Sequence, residues 1–123
     1  MRDAVINAEV CGINNTRFIC GDAATAAKQL AKENIHPDVV IVDPPRKGCD
    51  AALIKNIALH FAPERVVYIS CDSATLARDI KIFSEYGYNL AEYTPVDMFP
   101  GTAHVEAAAC ITRRGFYNEL PEA

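Results

Sequence analysis

Asp22, Asp43 and Cys71 carry side chains that can act as ligands, bases or nucleophiles, and each stands just after a segment with the composition of a β-strand. Cys71 also precedes a segment with helical spacing. Free amides and the positive dipole end at a helix start favour a thiolate, the reactive form of cysteine, so Cys71 is a candidate nucleophile. Asp43 is followed by two prolines and Arg46, which could form a binding loop or only a turn that ends the strand.

His104 and Glu106 enter the last predicted strand and lie on the same face of it, because side chains two positions apart point the same way. Both could be solvated residues of a strand edge. His104 could instead pair with Cys71 as the base of a cysteine hydrolase, although no oxyanion-hole signature supports that alternative. Asp22 could likewise serve only as the cap of the helix that follows it.

Apolar segments alternate with segments of helical spacing, which is the pattern of βαβ units around a mostly parallel sheet. We therefore predict an α/β sandwich. In such open sheets ligands bind beyond the carboxyl ends of the strands, so the candidate residues should share one cleft. Asp72 or Ser73 should cap the fourth helix. The predicted strands cover residues 16–20, 38–42, 65–70, 88–94 and 106–112. The predicted helices cover residues 3–10, 23–33, 51–61 and 74–86.

Composition limits the class of protein. The 123 residues suffice for one domain, half of them are apolar, and 23% are charged, as in ordinary globular proteins. A net charge of −4 argues against a grip on nucleic acid by the whole surface. The five cysteines form no C-x-x-C pair, so no metal site is expected. No apolar stretch approaches the length of a membrane span and no signal segment opens the chain, so we expect a cytoplasmic protein with no membrane contact.

Three motifs, in this order, resemble those of the RNA 5-methyluridine methyltransferases, which act on transfer and ribosomal RNA. Residues 43–48 resemble the D-P-P-R-x-G motif of that family, residues 68–79 its catalytic-cysteine motif, and residues 97–106 its final motif. Residues 7–23 also fit the segment that precedes them, so the likeness covers nearly the whole chain. It implies the C-terminal catalytic part of a Rossmann-like, class I methyltransferase that uses S-adenosylmethionine.

The resemblance also implies roles for individual residues. Cys71 would add to C6 of uracil as the nucleophile, and Glu106 would remove the C5 proton as general base. Asp43 and Arg46 would orient the uracil, while Asp22 and Asp43 would bind the cofactor. The implied substrate is a uridine of transfer or ribosomal RNA, flipped or unstacked. Amino-methyltransferases, the nearest alternative, follow D-P-P with an aromatic residue, so Arg46 disfavours them.

Two departures from the family pattern affect what we expect of this chain. Ser73 stands where the family usually has proline, which a helix start tolerates. The six glycines form no G-x-G pair, so the glycine-rich cofactor loop is absent from residues 1–123. We therefore expect a C-terminal portion that lacks the first two strands and the RNA-binding parts. By itself it should be inactive and bind S-adenosylmethionine weakly or not at all; micromolar affinity in calorimetry would refute this.

Missing strands would also leave unpaired edges, because they would normally lie between the strands predicted at residues 16–20 and 38–42. Exposed apolar edges invite pairing with another chain. We therefore expect either self-association or a sheet closed by non-standard pairing. A further alternative is a catalytically inactive module whose edges pair with a partner, although intact Cys71 and Glu106 disfavour it for a longer parent protein.

Overall fold

A computed structural model describes residues 1–115, which form an α/β fold of one four-stranded sheet and its helices. The predicted tail beyond Gly115 lies outside the described residues. Most predicted elements agree with the observed ones to within about two residues, as expected for boundaries of this kind. The helices are α1 (Arg2–Val10), α2 (Ala23–Lys32), α3 (Ala51–Asn56), continued by a π-helical turn (Ile57–Phe61), and α4 (Ser73–Glu85). The strands are β1 (Val39–Val42), β2 (Arg65–Ser70), β3 (Tyr88–Val96) and β4 (Glu106–Arg113).

The sheet has the order β1-β2-β4-β3, and the expectation of a mostly parallel sheet is wrong for its pairings. β1 pairs with β2 in parallel, whereas β4 is antiparallel to both β2 and β3. β4 is antiparallel to β3 because residues 97–105, which connect the two strands, are too few for a parallel pair. A parallel pair needs a crossover of a dozen or more residues. The short connection turns β4 back between β2 and β3. The carboxyl ends of β1, β2 and β3 therefore share one sheet edge with the amino end of β4.

The strand predicted at residues 16–20 does not form, and that prediction is wrong. Its backbone has no strand beside it, since β1 pairs with β2 alone among the described strands. A strand needs a neighbour for its N–H and C=O groups, so an apolar segment without one does not enter a sheet. The sheet therefore ends at β1, where Val39 is 46% exposed and Ile41 is 70% exposed.

The core lies between the sheet and a layer of helices. α3 contacts both α2 and α4, which makes the three helices neighbours in one layer. α1 contributes no buried residue. The buried residues of α4 are Leu76, Asp79 and Phe83, which follow helical spacing and include one acidic side chain.

No helix among residues 1–115 has the length and apolar character needed to cross a membrane. The largest fully buried apolar side chains are Tyr68, Tyr88, Phe83, Ile54, Ile57, Ile111 and Val66.

Candidate functional site

Asp22 and Asp43 line the same cavity, which has a volume of about 480 Å³ and opens beyond the carboxyl end of β1. Asp22 is also the N-cap of α2, which was the alternative role predicted for it. Its Oδ2 accepts a hydrogen bond from the Thr25 amide at 3.0 Å, and this bond lowers the pKa of the carboxyl group. One residue thus caps a helix and faces the cavity. The remaining walls include the apolar side chains of Ile41, Val42, Pro44 and Leu53.

Cys71 and Glu106 meet at the same edge of the sheet. The last residue pair of the antiparallel β2–β4 ladder is Ser70 with Ala107, so Cys71 and Glu106 are the next residues on each side. Glu106 is in turn paired with Val96 at the end of β3. Cys71 and Glu106 are both half-buried. Backbone pairing therefore makes the candidate nucleophile and the candidate base neighbours across adjacent strands, although Cys71 lines neither of the cavities that contain Asp43.

A second cavity, of about 390 Å³, lies on the Glu106 side. Asp43 lines both cavities and therefore lies between them. Met98 and Phe99, from the loop between β3 and β4, are 60% and 58% exposed and give the second cavity an apolar rim. The two cavities lie beside each other at one sheet edge, and each has a volume in the range of small-molecule sites.

Arg46 connects the segment after β1 with the other parts of this edge. Its Nη2 lies 3.4 Å from Nδ1 of His104, in the loop that precedes β4. Its positive charge also contributes, as the smallest of several causes, to the lowered pKa of Asp72, so Arg46 stands near the residue after Cys71. No hydrogen bond joins His104 to Cys71 among residues 1–115, which leaves the cysteine hydrolase without geometric support.

The helix start next to Cys71 forms as predicted, with Asp72 as the cap. An Asp72 oxygen accepts from the Thr75 amide at 2.9 Å, and this bond is the main cause of the lowered pKa of Asp72. The Ser70 hydroxyl donates to the Asp72 carbonyl at 2.8 Å and accepts from the Asp72 amide at 3.1 Å. These bonds fix the backbone on both sides of Cys71. The helix begins at Ser73 without the proline usual in the family.

Asp79 is the last residue of the motif at residues 68–79, but the sequence patterns indicated no role for it. It is fully buried and accepts hydrogen bonds from Tyr68 and from the backbone of Cys49. The available signal was an aspartate at the buried spacing of α4, between Leu76 and Phe83. Buried carboxylates need partners, and such a position predicts a hydrogen-bonded network. Among residues 1–115 no group of His, Cys, Asp and Glu side chains is arranged to hold a metal ion.

Comparisons with known proteins agree with the fold and with the motifs. Residues 24–114 match the family described as tRNA (uracil-5-)-methyltransferase. An uncharacterized RNA methyltransferase of Clostridium acetobutylicum is 50% identical over 113 residues, which are 92% of this chain and 24% of that protein. Another, from Halalkalibacterium halodurans, is 47% identical over 109 residues, or 89% of this chain and 24% of that protein. The chain thus spans about a quarter of the length of these relatives.

Two solved structures share the fold at low sequence identity. The M1.HpyAVI–SAM complex superposes with a TM-score of 0.66 at 17% identity, covering 80% of this chain and 54% of that one. M. jannaschii TYW2 in complex with AdoMet gives a TM-score of 0.54 at 19% identity, covering 91% and 52%. The chain thus shares its fold with two proteins whose structures contain S-adenosylmethionine, the cofactor expected from the sequence. The chain belongs to the tRNA (uracil-5-)-methyltransferase family, which confirms the resemblance in its motifs.

Proposed function

We propose that this chain carries the catalytic edge of an enzyme that methylates carbon 5 of uridine in transfer or ribosomal RNA, with Cys71 as nucleophile and Glu106 as general base. The observation that carries the proposal is the position of Cys71 and Glu106 directly beyond the last pair of the β2–β4 ladder. The cavity that contains Glu106 is mostly apolar and shares Asp43 with its neighbour. Membership of the tRNA (uracil-5-)-methyltransferase family supports this reaction class.

The first cavity fits the adenosine part of S-adenosylmethionine in its chemistry. Asp22 and Asp43 offer carboxylate oxygens to amino and hydroxyl groups, and Ile41, Pro44 and Leu53 offer apolar surface to a ring. Its volume of about 480 Å³ is ordinary for a small-molecule site. When bound, the cofactor would supply an electrophilic methyl group. No glycine-rich loop is present in residues 1–123, and we therefore keep the expectation that this chain alone binds it weakly.

Cys71 would start the reaction by adding its thiolate sulfur to C6 of uracil. The new S–C6 bond moves the C5–C6 π electrons toward C5 and the C4 oxygen, which makes C5 nucleophilic enough to accept a methyl group. The hydrogen bonds of Ser70 and Asp72 hold the backbone around the sulfur in one conformation.

Glu106 would complete the reaction by removing the proton from methylated C5. The electron pair of the C–H bond re-forms the C5–C6 double bond, and the thiolate of Cys71 leaves C6. Asp43 and Arg46 would orient the base from the side of β1, and the contact between Arg46 and His104 holds the guanidinium toward the second cavity's loop. The RNA strand itself would depend on further contacts, since the chain has a net charge of −4.

Trapping with RNA that contains 5-fluorouridine tests this proposal. In 5-fluorouridine, C5 carries fluorine and has no proton for the base to remove. A full-length protein given cofactor and this RNA should therefore remain covalently attached to the RNA through Cys71. The adduct is detected as a shifted band on a denaturing gel and located by mass spectrometry. Cys71→Ala should abolish it.

Cys110→Ala is the matched control, because Cys110 is also half-buried but lies within β4, opposite Val67. This variant should form the adduct as the unmodified protein does. If the unmodified protein forms no adduct, or if Cys71→Ala still forms one, the assignment of the nucleophile is wrong.

A further inference from the structure

The carboxylate of Asp79 has no solvent exposure and is the centre of a hydrogen-bonded network. Its Oδ2 accepts from the Tyr68 hydroxyl at 2.6 Å and from the Cys49 amide at 2.8 Å. Its Oδ1 accepts from Nε and Nη2 of Arg78 at 2.9 and 2.7 Å. The Arg78 Nη2 also donates to the Lys47 carbonyl at 2.8 Å. A buried carboxylate with this many donors is fully compensated, and removal of any one partner is costly.

The donors come from three different segments. Tyr68 lies in β2, three residues before Cys71, and Arg78 lies in α4, the helix that begins just after Cys71. Cys49 and Lys47 belong to the loop that continues from Asp43 and Arg46. Asp79 therefore connects the segment that bears the candidate substrate ligands with the two elements on either side of the candidate nucleophile.

Gly48 shows how closely the loop approaches α4. It has a φ of +82°, and a Cβ at this position would lie 2.5 Å from Oδ2 of Asp79 and 2.6 Å from Nη2 of Arg78, and would also clash with the Thr75 side chain. Only glycine allows the loop backbone to lie this close to the carboxylate. The loop backbone at Gly48 thus packs directly against the side chains of α4.

The charge states of the neighbours suit a fixed network. Burial raises the pKa of Tyr68, and the hydrogen bond to Asp79 raises it further, so the hydroxyl remains a donor. Burial likewise raises the pKa of the Cys49 thiol to about 11, with the charge of Asp79 as a second cause. Cys49 thus stays a neutral thiol beside the site, and Arg78 is the positive partner of Asp79.

We propose that Asp79 is a positioning residue, which holds the loop bearing Asp43 and Arg46 in register with Cys71 through Tyr68, Arg78 and the Cys49 amide. This inference rests on the proposed function, because it assigns Asp79 a role in the same reaction. Asp79 does not touch the reacting atoms. Its effect is to keep groups from β1 and β2 at a fixed separation, and small displacements of reacting groups reduce rates strongly.

The test measures the rate of covalent adduct formation with saturating 5-fluorouridine RNA and cofactor, in the full-length protein and well below the Tm of each variant. Asp79→Asn keeps the shape but replaces an acceptor by a donor toward Tyr68, Cys49 or Arg78. We expect the rate to fall by roughly 100-fold. Tyr68→Phe removes one hydroxyl, and there we expect a fall of roughly tenfold.

Tyr88→Phe is the matched control for Tyr68→Phe. Tyr88 is also a buried tyrosine, and its hydroxyl donates to the Pro63 carbonyl at 2.7 Å, near the opposite edge of the sheet. Loss of this hydroxyl should lower Tm in the way that Tyr68→Phe does, while the adduct rate stays that of the unmodified protein. A merely structural role for Asp79 would make all three variants alike in rate.

Hydrogen exchange of the Cys49 amide is a second measurement that needs no activity. It should exchange faster in Asp79→Asn and in Tyr68→Phe, but not in Tyr88→Phe. An unchanged adduct rate in a folded Asp79→Asn protein would overturn the inference, and so would failure of both Asp79→Asn and Tyr68→Phe to fold. If the unmodified protein forms no adduct, the proposed function fails, and the exchange of the Cys49 amide then decides whether Asp79 positions the loop.

Discussion

Cys71 and Glu106 are the residues directly beyond Ser70 and Ala107, which close the hydrogen-bonded ladder between β2 and β4. The sulfur and the carboxylate are therefore placed by the backbones of two paired strands. In a parallel pairing of these strands, residues 71 and 106 would lie at opposite ends of the ladder. The antiparallel insertion of β4 is thus the topological feature that brings the two candidate catalytic groups together.

Glu106→Gln should separate the first half of the proposed reaction from the second. Without a base, the methylated adduct cannot lose its C5 proton, so turnover should fall by roughly 10²- to 10⁴-fold. Covalent protein–RNA complex should accumulate with ordinary uridine RNA, visible on a denaturing gel. Glu92→Gln, on the exposed part of β3, is the control and should turn over normally. Continued multiple turnover by Glu106→Gln would show that another group removes the proton.

Gly48→Ala should destabilise the chain more than Gly87→Ala. Both glycines have positive φ, +82° and +89°, so both substitutions carry a backbone cost of about 1–2 kcal/mol. At Gly87 a new Cβ meets nothing within 4 Å, whereas at Gly48 it meets the Asp79 carboxylate. We expect Gly48→Ala to cost roughly 1–3 kcal/mol more in the free energy of unfolding, from overpacking. Urea denaturation of both variants measures the difference, and equal losses would show that the loop can move away from α4.

Acid should weaken the fold through carboxylates whose pKa is lower in the folded chain. The hydrogen bond from Arg17 lowers the pKa of Glu33 from 4.5 to about 2, and bonds from helix amides lower those of Asp22 and Asp72. Their stabilisation is complete above the ordinary carboxyl pKa and is lost as the pH falls through the lowered values. We expect Tm to drop between about pH 5 and pH 2. Glu33→Gln should reduce this drop, whereas Glu85→Gln, another exposed carboxylate, should not.

Ile41→Lys should oppose self-association of the 123-residue chain. Among the described strands β1 is an outermost strand, which pairs with β2 on one side only. Ile41 is its most exposed apolar residue at 70%. A lysine at an edge strand disfavours pairing with another edge. Light scattering over a concentration series should show a larger mass for the unmodified chain than for Ile41→Lys. Leu59→Lys is the control, since Leu59 is 52% exposed but lies on the helical layer. A monomeric unmodified chain at high concentration would contradict the prediction.

The parts of the fold predicted correctly are those governed by local sequence. β2 is a continuous apolar run, and the cap at Asp72 needs only the amides of the next turn. The segment of residues 16–20 looks like a strand by the same local criteria but has no neighbour, and pairing is a property of the whole sheet. The direction of β4 depended on the length of the preceding loop, which periodicity does not reveal.

The candidate site shows the same division. Asp22, Asp43 and Glu106 were predicted from strand ends and motifs, and the structure places them around two adjoining cavities. The part played by Asp79 could not be read from its spacing, because its partners Tyr68 and Cys49 are 11 and 30 positions away in the chain. Long-range hydrogen bonds of this kind depend on the tertiary arrangement of the loop and the helix.

The buried carboxylate of Asp79 also limits how this region can change in evolution. Replacement of Asp79 by an apolar residue leaves the Tyr68 hydroxyl and the Cys49 amide without an acceptor and leaves Arg78 with the Lys47 carbonyl alone, and every residue except proline at position 49 keeps that amide. Tyr68 and Arg78 could be lost only after the carboxylate had found other donors. A change at one of these positions alone would therefore lower the stability of the fold. We expect positions 68, 78 and 79 to change together or not at all.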